Sequence, residues 1–476
     1  MILLAILVVV GVVYAAVSFQ LGKAFEENAA KEVQSLNLAF SQNLGQFSHQ
    51  KLFQIQQTDF QNHIFSSQAQ YIVHLGGMQT IKLNAKTKHG PLINLQPMRY
   101  LTVYELEKDA NTAKLFQAAG DKSPVKVTVK TGFGDNSDIR TEILPLRYDK
   151  TASFIFSGLD SLIQTNQQKS FIKGQWKSDG FKIFGLGAEF LMSGLKGNIN
   201  LKENNGLYIG DNNYSISNIK IDGGEIAKMM TVNPTASIDH ISYSSKSNKI
   251  GGDYQTTIAF AMNNAQVAGF HFGNLKSNIQ VDKLPVDMIQ QISQMRYSQL
   301  SQNEKEKLWL NVLKTNPQFK INIQWENNGQ IATALFDLEA KMPKKSFKQA
   351  DPQDFLFRAA VNMDIPKDMI QQALSQSLMI ANHSQADANH KTTQFLNRLV
   401  ANSDGLVVED NQSYKTNIVF DNNRLVVNGR EQNFNDLDTT LPETLSLPDE
   451  TQPPIDEAPT QPETLPNSVN PLENLL

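Results

Sequence analysis

Alternation of apolar and polar residues constrains the fold of this chain more than any other feature of its sequence. The clearest segments place one set of side chains at every second position: Phe319, Ile321, Ile323 and Trp325; Tyr254, Thr256, Ile258 and Phe260; Phe357, Ala359, Val361, Met363 and Ile365. A period of two is that of a β-strand with one apolar and one solvated face, and such strands build antiparallel sheets. We therefore predict a body made mainly of antiparallel sheet.

The segments between these patterns carry the residues that tight hairpins need. Glu203-Asn204-Asn205-Gly206 and Glu326-Asn327-Asn328-Gly329 each separate two strand patterns, and Asn428-Gly429 offers a further turn. Asn-Gly readily takes the positive φ angles that two-residue hairpin turns require. The turns therefore predict strands that follow one another as hairpins.

One internal repeat adds helices to the sheet. The sequence LPVDMIQQ at 284–291 recurs as IPKDMIQQ at 365–372, each time after an alternating strand. Proline is tolerated in a first helical turn, and an aspartate two residues later favours the positive end of the helix dipole. We predict a strand–proline–helix repeat near 281–315 and 361–400, with helices that end at about Leu313 and Val400. Chance similarity in a Gln-rich chain is the competing explanation.

The N-terminal residues predict a membrane anchor. Residues 1–19 are apolar or small except for Ser18, and no charge occurs before Lys23. A helix of about 19 residues rises about 28 Å, which is close to the thickness of the hydrocarbon layer. We predict a transmembrane signal anchor at 1–21. A cleaved signal peptide is the alternative, although its apolar core is usually only about 7–15 residues long.

The following segment has the period of a helix. Apolar side chains recur at steps of three and four residues from Phe25 to Phe47, which predicts a stalk helix at 22–50. It would either pack on the body or form a coiled-coil seam, and the second alternative would make the protein a homo-oligomer.

The predicted fold class is α+β. It comprises the N-terminal transmembrane helix, an elongated and mainly antiparallel β-sheet body with packed helices at 51–437, and a C-terminal tail at 438–476. The tail holds eight of the 18 prolines and no lysine or arginine. An acidic, Pro-rich segment of this kind cannot bury enough apolar surface to fold, so we predict that it is disordered.

Composition and motifs argue against several function classes. The chain has no cysteine, which excludes disulfides and cysteine-based catalytic or metal sites, and its net charge of −4 argues against a nucleic-acid binder. The eight histidines form no His-Glu-x-x-His pattern, and the sequence lacks a P-loop and a nucleophile elbow. His383 and His390 share a helix face, which is more simply a solvated face than a metal site. We predict no catalytic residues, no cofactor and no metal.

The motifs together resemble a known family. They are Phe65-Ser66-Ser67-Gln68, His89-Gly90-Pro91-Leu92, the hairpin at 321–338, the unit at Ile365-Pro366 and the segment 425–430. Over residues 1–437 the chain resembles the YdgA family of bacterial inner-membrane-associated proteins of unknown function. The resemblance implies a Gram-negative cell-envelope protein with one N-terminal anchor and a body in the periplasm, and it implies no activity. Taken alone, Lys23 and Lys31 after the span favour a cytoplasmic body.

Two sets of residues are candidates for a site. His89, Gly90 and Pro91 are the family-motif positions, which form either a strand-end turn or an interface. The other set is an apolar face that is either a covered core or an open groove: Phe319, Ile321, Ile323, Trp325, Val361, Met363 and Ile365. We favour a core covered by the two repeat-linked helices, with the polar residues of the opposite face, among them Asn322 and Gln324, simply solvated.

These features favour a non-catalytic envelope scaffold or interaction protein anchored in the inner membrane. The alternative is a lipid-binding or lipid-transfer protein that uses an apolar groove on the antiparallel sheet. The expected partners are the membrane, and lipid or other envelope proteins.

Overall fold

The computed structural model describes residues 17–26, 31, 33, 34, 37, 53–75, 79–149, 152–224, 234–293, 300–345, 352–421 and 423–433. The predicted anchor up to residue 16, the stalk from 38 to 50 and the tail at 438–476 lie outside the described residues. Within the described part of the chain, no helix is long and apolar enough to cross a membrane.

Among the described residues, one antiparallel sheet of 22 strands dominates the fold, beside a two-stranded ladder formed by β4 and β5. The strands are β1 (Phe53–Asn62), β2 (Ser66–Leu75), β3 (Gln79–His89), β4 (Leu92–Ile93), β5 (Gln96–Pro97), β6 (Tyr100–Leu106), β7 (Val125–Thr131), β8 (Asn136–Ile143), β9 (Leu146–Asp149), β10 (Ala152–Phe156), β11 (Leu159–Asn166), β12 (Phe171–Gly185), β13 (Ala188–Asn204), β14 (Leu207–Asp222), β15 (Thr235–Ile250), β16 (Asp253–Val267), β17 (Phe270–Pro285), β18 (Gln318–Asn327), β19 (Gln330–Ala340), β20 (Leu356–Pro366), β21 (Val408–Glu409), β22 (Ser413–Asp421), β23 (Arg424–Val427) and β24 (Arg430–Gln432).

Most strands pair with their neighbours along the chain. From β11 to β20 every strand pairs antiparallel with the next, so this part of the sheet is a continuous meander. The long strand β12 pairs with β11 along one part of its length and with β10 along another. The prediction of a mainly antiparallel body is confirmed.

The predicted hairpin turns have the expected backbone. Asn205 and Gly206 have φ angles of 53° and 83°, and Asn328 and Gly329 have 50° and 77°. Two consecutive positive φ angles are those of a type I′ turn, whose twist matches that of the strands that it joins. The Asn-Gly pairs therefore fix where each of these hairpins reverses.

Six α-helical segments accompany the sheet, together with a 3₁₀ helix (Pro352–Phe355) and further helical residues at 31, 33, 34, 37 and 224. The six segments are α1 at 17–26, α2 (Ala113–Ala118), α3 (Val286–Ser293), α4 (Gln302–Lys314), α5 (Lys367–Ile380) and α6 (Gln385–Ala401), counted within the described residues. Both predicted strand–proline–helix units are present, because Pro285 and Pro366 each end a strand directly before a helix. Each helical stretch is shorter than predicted, because a second helix replaces its latter part.

Side-chain caps explain these breaks. Asn382 has a positive φ of 68°, which ends the path of α5, and the Ser384 side chain accepts a hydrogen bond from the Asp387 N–H at the start of α6. Ser301 and Glu304 form a capping box that begins α4. Such caps satisfy N–H groups that a helix leaves unpaired at its start. The helical period alone runs through both breaks.

Both helices of the repeat contact a hairpin turn. The Gln290 side chain of α3 donates a hydrogen bond to the Asn205 carbonyl. In the second copy, Asn328 Nδ2 donates to Gln372 Oε1 of α5 at 3.1 Å. Each glutamine-bearing helix thus contacts a Glu-Asn-Asn-Gly turn, but through different positions, because Gln290 aligns with Gln371 in the repeat and not with Gln372.

The buried side chains are concentrated away from the middle of the sheet. One cluster joins Leu284 to α3 and α4, a second lies on β2 and β3, and a third lies on β22 and β23. Between residues 159 and 267, Leu207 and Ala265 are the only buried apolar residues in the part of the chain that the structure describes. Strands β11–β16 therefore lack a complete second layer formed by described elements: Tyr254 on β16 packs against the cluster of α3 and α4, but the helices do not lie along most of the sheet as expected.

Candidate functional site

The seven apolar candidates lie on one face of neighbouring strands. Ile321 on β18 is directly opposite Phe336 on β19, which is directly opposite Val361 on β20. In the same way Ile323 and Met363 flank Ala334. Directly opposite residues share a face of the sheet, so the alternation in the sequence correctly groups these side chains.

This face is covered at one end only. Phe319 packs against the cluster formed by Leu284 and helices α3 and α4. All seven candidates remain partly exposed, and the Trp325 Nε1 donates to the Phe272 carbonyl at 2.6 Å. Towards Trp325, the described residues therefore provide no complete cover.

Phe357 does not follow the alternation that the sequence indicates. The register between β19 and β20 shifts next to Ala340, so that Leu356 is opposite Ala340. Leu356 packs against the buried Phe420 cluster, whereas 48% of Phe357 is exposed. A bulge moves one strand by a residue and so reverses the face on which its side chains lie.

The apolar face continues into the uncovered strands as a row of aromatic rings. Trp176 is opposite Gly197, Gly197 is opposite Tyr214, and Tyr214 is opposite Tyr243. The ring centroids are 5.3 Å apart for Trp176 and Tyr214, and 5.7 Å apart for Tyr214 and Tyr243. A Cβ at Gly197 would lie 2.2 Å from the Trp176 ring, so the glycine allows the indole to reach Tyr214 across the strand between them.

A trough of about 850 Å³ crosses the same strands, from β11 to β18. The backbone of the aromatic row forms part of its floor. The rest of the lining comes from residues that precede or follow the row along each strand: Asp160, Leu162, Gln175, Lys177, Lys196, Asn198, Asn213, Ser215, Ser242, Ser244, Ala259, Ala261, Lys276, Asn278, Asn322 and Gln324.

The lining shows on which face the trough lies. In the outermost strands Asp160, Leu162, Asn322 and Gln324 line it, whereas the intervening Ser161 and Ile323 do not. Successive side chains on a strand point to opposite faces. The trough therefore lies on the polar face, opposite the aromatic row.

Lysines give the trough a positive character. Lys177 is directly opposite Lys196, and Lys276 lies four strands further along the sheet. Asp160 accepts a hydrogen bond from Arg140 at 3.0 Å. Among the described residues, none forms an ion pair with any of the three lysines.

The two family motifs meet beneath α1. His89 Nε2 and Ser67 Oγ are 3.1 Å apart, and each side chain is only 1% exposed. The Ser18 hydroxyl of α1 donates to the Gly90 carbonyl, and the Tyr100 hydroxyl donates to the Leu21 carbonyl at 3.0 Å. His89 and Gly90 thus attach the N-terminal helix to the sheet.

Burial determines the chemistry of His89. Burial lowers the pKa of the imidazole below its usual value, although the backbone carbonyls of Ile64 and Ser18 favour the protonated ring. A serine and a histidine at hydrogen-bond distance can act as nucleophile and general base. Ser67 and His89 are closed off under α1, however, so a substrate cannot reach the hydroxyl in this arrangement.

His383 and His390 have separate hydrogen-bond partners. No group of three or more His, Asp or Glu residues in the described part of the chain could hold a metal ion. His383 Nδ1 lies 2.7 Å from the Asp387 carboxylate, and Lys391 Nζ lies 3.3 Å from the same group. His390 instead contacts Gln394 at 2.9 Å, so the two histidines do not converge.

Comparisons with known proteins show a bacterial family of unknown function and do not test membership of the YdgA family. No curated protein and no solved structure matches the chain. A family model described as a bacterial protein of unknown function, DUF945, matches residues 1–434, and the chain therefore belongs to this family.

Proposed function

We propose that this DUF945 protein is a non-catalytic scaffold or interaction protein of the bacterial cell envelope, close to the YdgA proteins. In this proposal residues 1–21 anchor it in the inner membrane and its body lies in the periplasm. The observation that carries the proposal is the uncovered middle of the sheet, strands β11–β16, where Leu207 and Ala265 are the only buried apolar side chains among the described residues.

Sheet physics explains why an uncovered middle supports a binding role. A sheet normally buries one face against a second layer, since that burial offsets the entropy lost on folding. Here the Trp176–Tyr243 row stays accessible, and 39% of Tyr214 is exposed. Accessible apolar and aromatic patches on a protein surface are common at sites of interaction.

The N-terminal helix fits an anchored protein. Ser18, Gly22 and Phe25 of α1 all contact the sheet or its motif residues. Because these contacts begin at Ser18, the membrane-spanning part of the proposed anchor ends before that residue, which would hold the first strands near the bilayer surface.

Site-specific cross-linking tests the interaction role. A photoreactive amino acid at Tyr214 should form defined covalent adducts with an envelope component in intact cells. The matched control is Leu115 on α2, which is 41% exposed against 39% for Tyr214. Equal adduct yield and identity at both positions would contradict the proposal, because equally exposed residues would then react without specificity.

A second candidate is lipid binding on the apolar face. The specific observation is that Ile323, Trp325 and Met363 share a face with the aromatic row and remain partly exposed. An acyl chain laid along this face would remove apolar surface from water at about 25 cal/mol per Å². The polar ends of the strands would leave its head group in solvent.

Trp325→Ala separates an open face from a covered core. If Trp325 belongs to a covered core, its truncation should lower the free energy of unfolding by about 3–5 kcal/mol. On an open face the loss should stay near 1–2 kcal/mol, because little more than the bond to the Phe272 carbonyl and partial burial is lost. The measurements are urea unfolding and mass spectrometry of co-purified lipid, with Gln324→Ala on the opposite face as control. Lipid recovery that is unchanged in Trp325→Ala would exclude lipid binding at this position.

A further inference from the structure

The polar trough on the reverse face of β11–β18 has a ligand chemistry of its own. We propose that it binds an anionic oligosaccharide, a chain of sugar units that carry carboxylate or phosphate groups. The site lies opposite the aromatic row and does not depend on whether that row binds a lipid or a protein.

Two lysines of the trough lie directly opposite each other. Lys177 and Lys196 are directly opposite on neighbouring strands and on the same face. Such a pair destabilises a sheet, and an acidic neighbour usually compensates for it. Asp160 is directly opposite Lys177 on the other neighbouring strand, but its carboxylate lies 3.0 Å from Arg140, which also lies 3.4 Å from Glu142. A bound anion between the two ammonium groups would remove the repulsion.

The remaining lining residues favour hydroxyl groups over apolar ones. Amide side chains and serine hydroxyls both line the trough, and Asn213 Nδ2 donates to Asn198 Oδ1 at 3.0 Å. Amides and hydroxyls both donate and accept hydrogen bonds, as sugar hydroxyls do. Leu162 is the one large apolar side chain of the lining, since the aromatic rings point to the other face.

The spacing of the lysines indicates a long ligand. Lys196 lies on β13 and Lys276 on β17, which are four strand spacings apart. At about 4.8 Å per spacing this corresponds to roughly 19 Å measured along a flat sheet. One small anion cannot reach both positions, whereas a chain of several charged sugar units can.

Other polyanions fit this surface less well. A peptide that adds a strand needs a free sheet edge, whereas the backbone groups of β12–β17 are already paired on both sides. Single-stranded nucleic acid binds by base stacking on aromatic rings. The trough presents none of its rings to a ligand.

Calorimetric titration of the full chain in non-ionic detergent tests the proposal. The probe is a hexamer of galacturonate, and maltohexaose is the neutral reference. Hexaglutamate and dihexanoyl phosphatidylglycerol represent an acidic peptide and a lipid head group. We expect the galacturonate hexamer to bind at low salt, to weaken at high salt, and to bind more tightly than the other three probes.

Two matched variants locate the site. Lys196→Gln should weaken binding of the galacturonate hexamer about tenfold, because one charge-assisted contact is lost. The same variant without ligand should unfold at an equal or higher urea concentration, because the repulsion with Lys177 is gone. Lys249→Gln removes a lysine from the opposite face of β15 and should leave binding unchanged.

Four outcomes would overturn the assignment. They are equal binding of maltohexaose, tighter binding of hexaglutamate or of the lipid head group, an equal loss of affinity in both variants, and a lower urea midpoint for Lys196→Gln. The last would show that Lys196 makes a structural contact and is not held ready for an anion.

Discussion

Gly22→Ala is the sharpest test of how the N-terminal helix is held. Gly22 is on the side of α1 that contacts the sheet, and a Cβ there would lie 2.5 Å from His89 Cε1 and 2.7 Å from Asn62 Oδ1. Carbon atoms in ordinary contact are about 3.5–4.0 Å apart. The added methyl group must therefore move either the His89 ring or the helix.

Two opposing terms set the expected magnitude. Alanine favours an isolated helix over glycine by about 1 kcal/mol. Overpacking a tight contact costs about 1–3 kcal/mol. We expect a net loss between zero and about 2 kcal/mol, together with faster amide exchange in residues 17–26, because α1 rather than the sheet is released.

A double-mutant cycle isolates the clash from the helix propensity. His89→Ala opens the space that the new methyl group needs, so Gly22→Ala should be less harmful, or even stabilising, in that background. The coupling should be about 1–3 kcal/mol, as is found for residues in contact. Urea unfolding measures it, and Gln20→Ala on the exposed side of α1 is the control. A Gly22→Ala protein that gains the full 1 kcal/mol in both backgrounds would refute the docking.

Three further predictions concern the attachment of β1, the pH dependence of stability and the C-terminal tail. Asn37→Ala should lower the free energy of unfolding by about 1–3 kcal/mol, because the Asn37 amide donates to the Ile55 carbonyl at 2.7 Å and accepts from the Ile55 N–H at 2.8 Å. Urea unfolding measures this loss. The comparison variant Asn37→Asp keeps the acceptor and so isolates the loss of the donor. The lowered pKa of His89 means that the unfolded chain binds the proton more readily, so stability should fall as pH drops below about 6.5. Comparing urea midpoints of wild type and His89→Gln on both sides of that pH should show a smaller change in the variant. Deleting residues 438–476 should leave the melting temperature within error, and a drop of several degrees would show that the tail docks.

Local sequence signals predict the strands and turns well. The alternation of apolar and polar residues can be recognised within a single strand. The Asn205-Gly206 and Asn328-Gly329 turns have the positive φ angles that the residue types favour. The helix breaks follow less obvious signals. Ser301 and Ser384 are ordinary cap residues, but the amphipathic period continues on both sides of them. The Ser-x-x-Glu spacing at 301–304 could have identified one of the breaks.

Features that depend on register are invisible in the sequence. The rings of Trp176 and Tyr214 meet only because β13 places Gly197 between them. The same holds for the motif residues, since Ser67 and His89 meet through the pairing of β2 with β3 and not through a spacing that a motif search detects. The sequence predicts which side chains share a face of one strand, whereas the pairing of strands decides which ones meet.

The polar face shows most clearly how strand pairing affects function. Asn322 and Gln324 alternate with the apolar candidates, and the alternation assigns them to a solvated face that should tolerate substitution. In the structure both line one end of the trough that contains Lys177, Lys196 and Lys276. A solvated sheet face gains nothing from two lysines directly opposite each other, because their repulsion opposes folding. The period-two pattern therefore encodes two surfaces, one apolar and aromatic, the other polar and cationic, and a sheet that lacks a second layer presents both of them for binding.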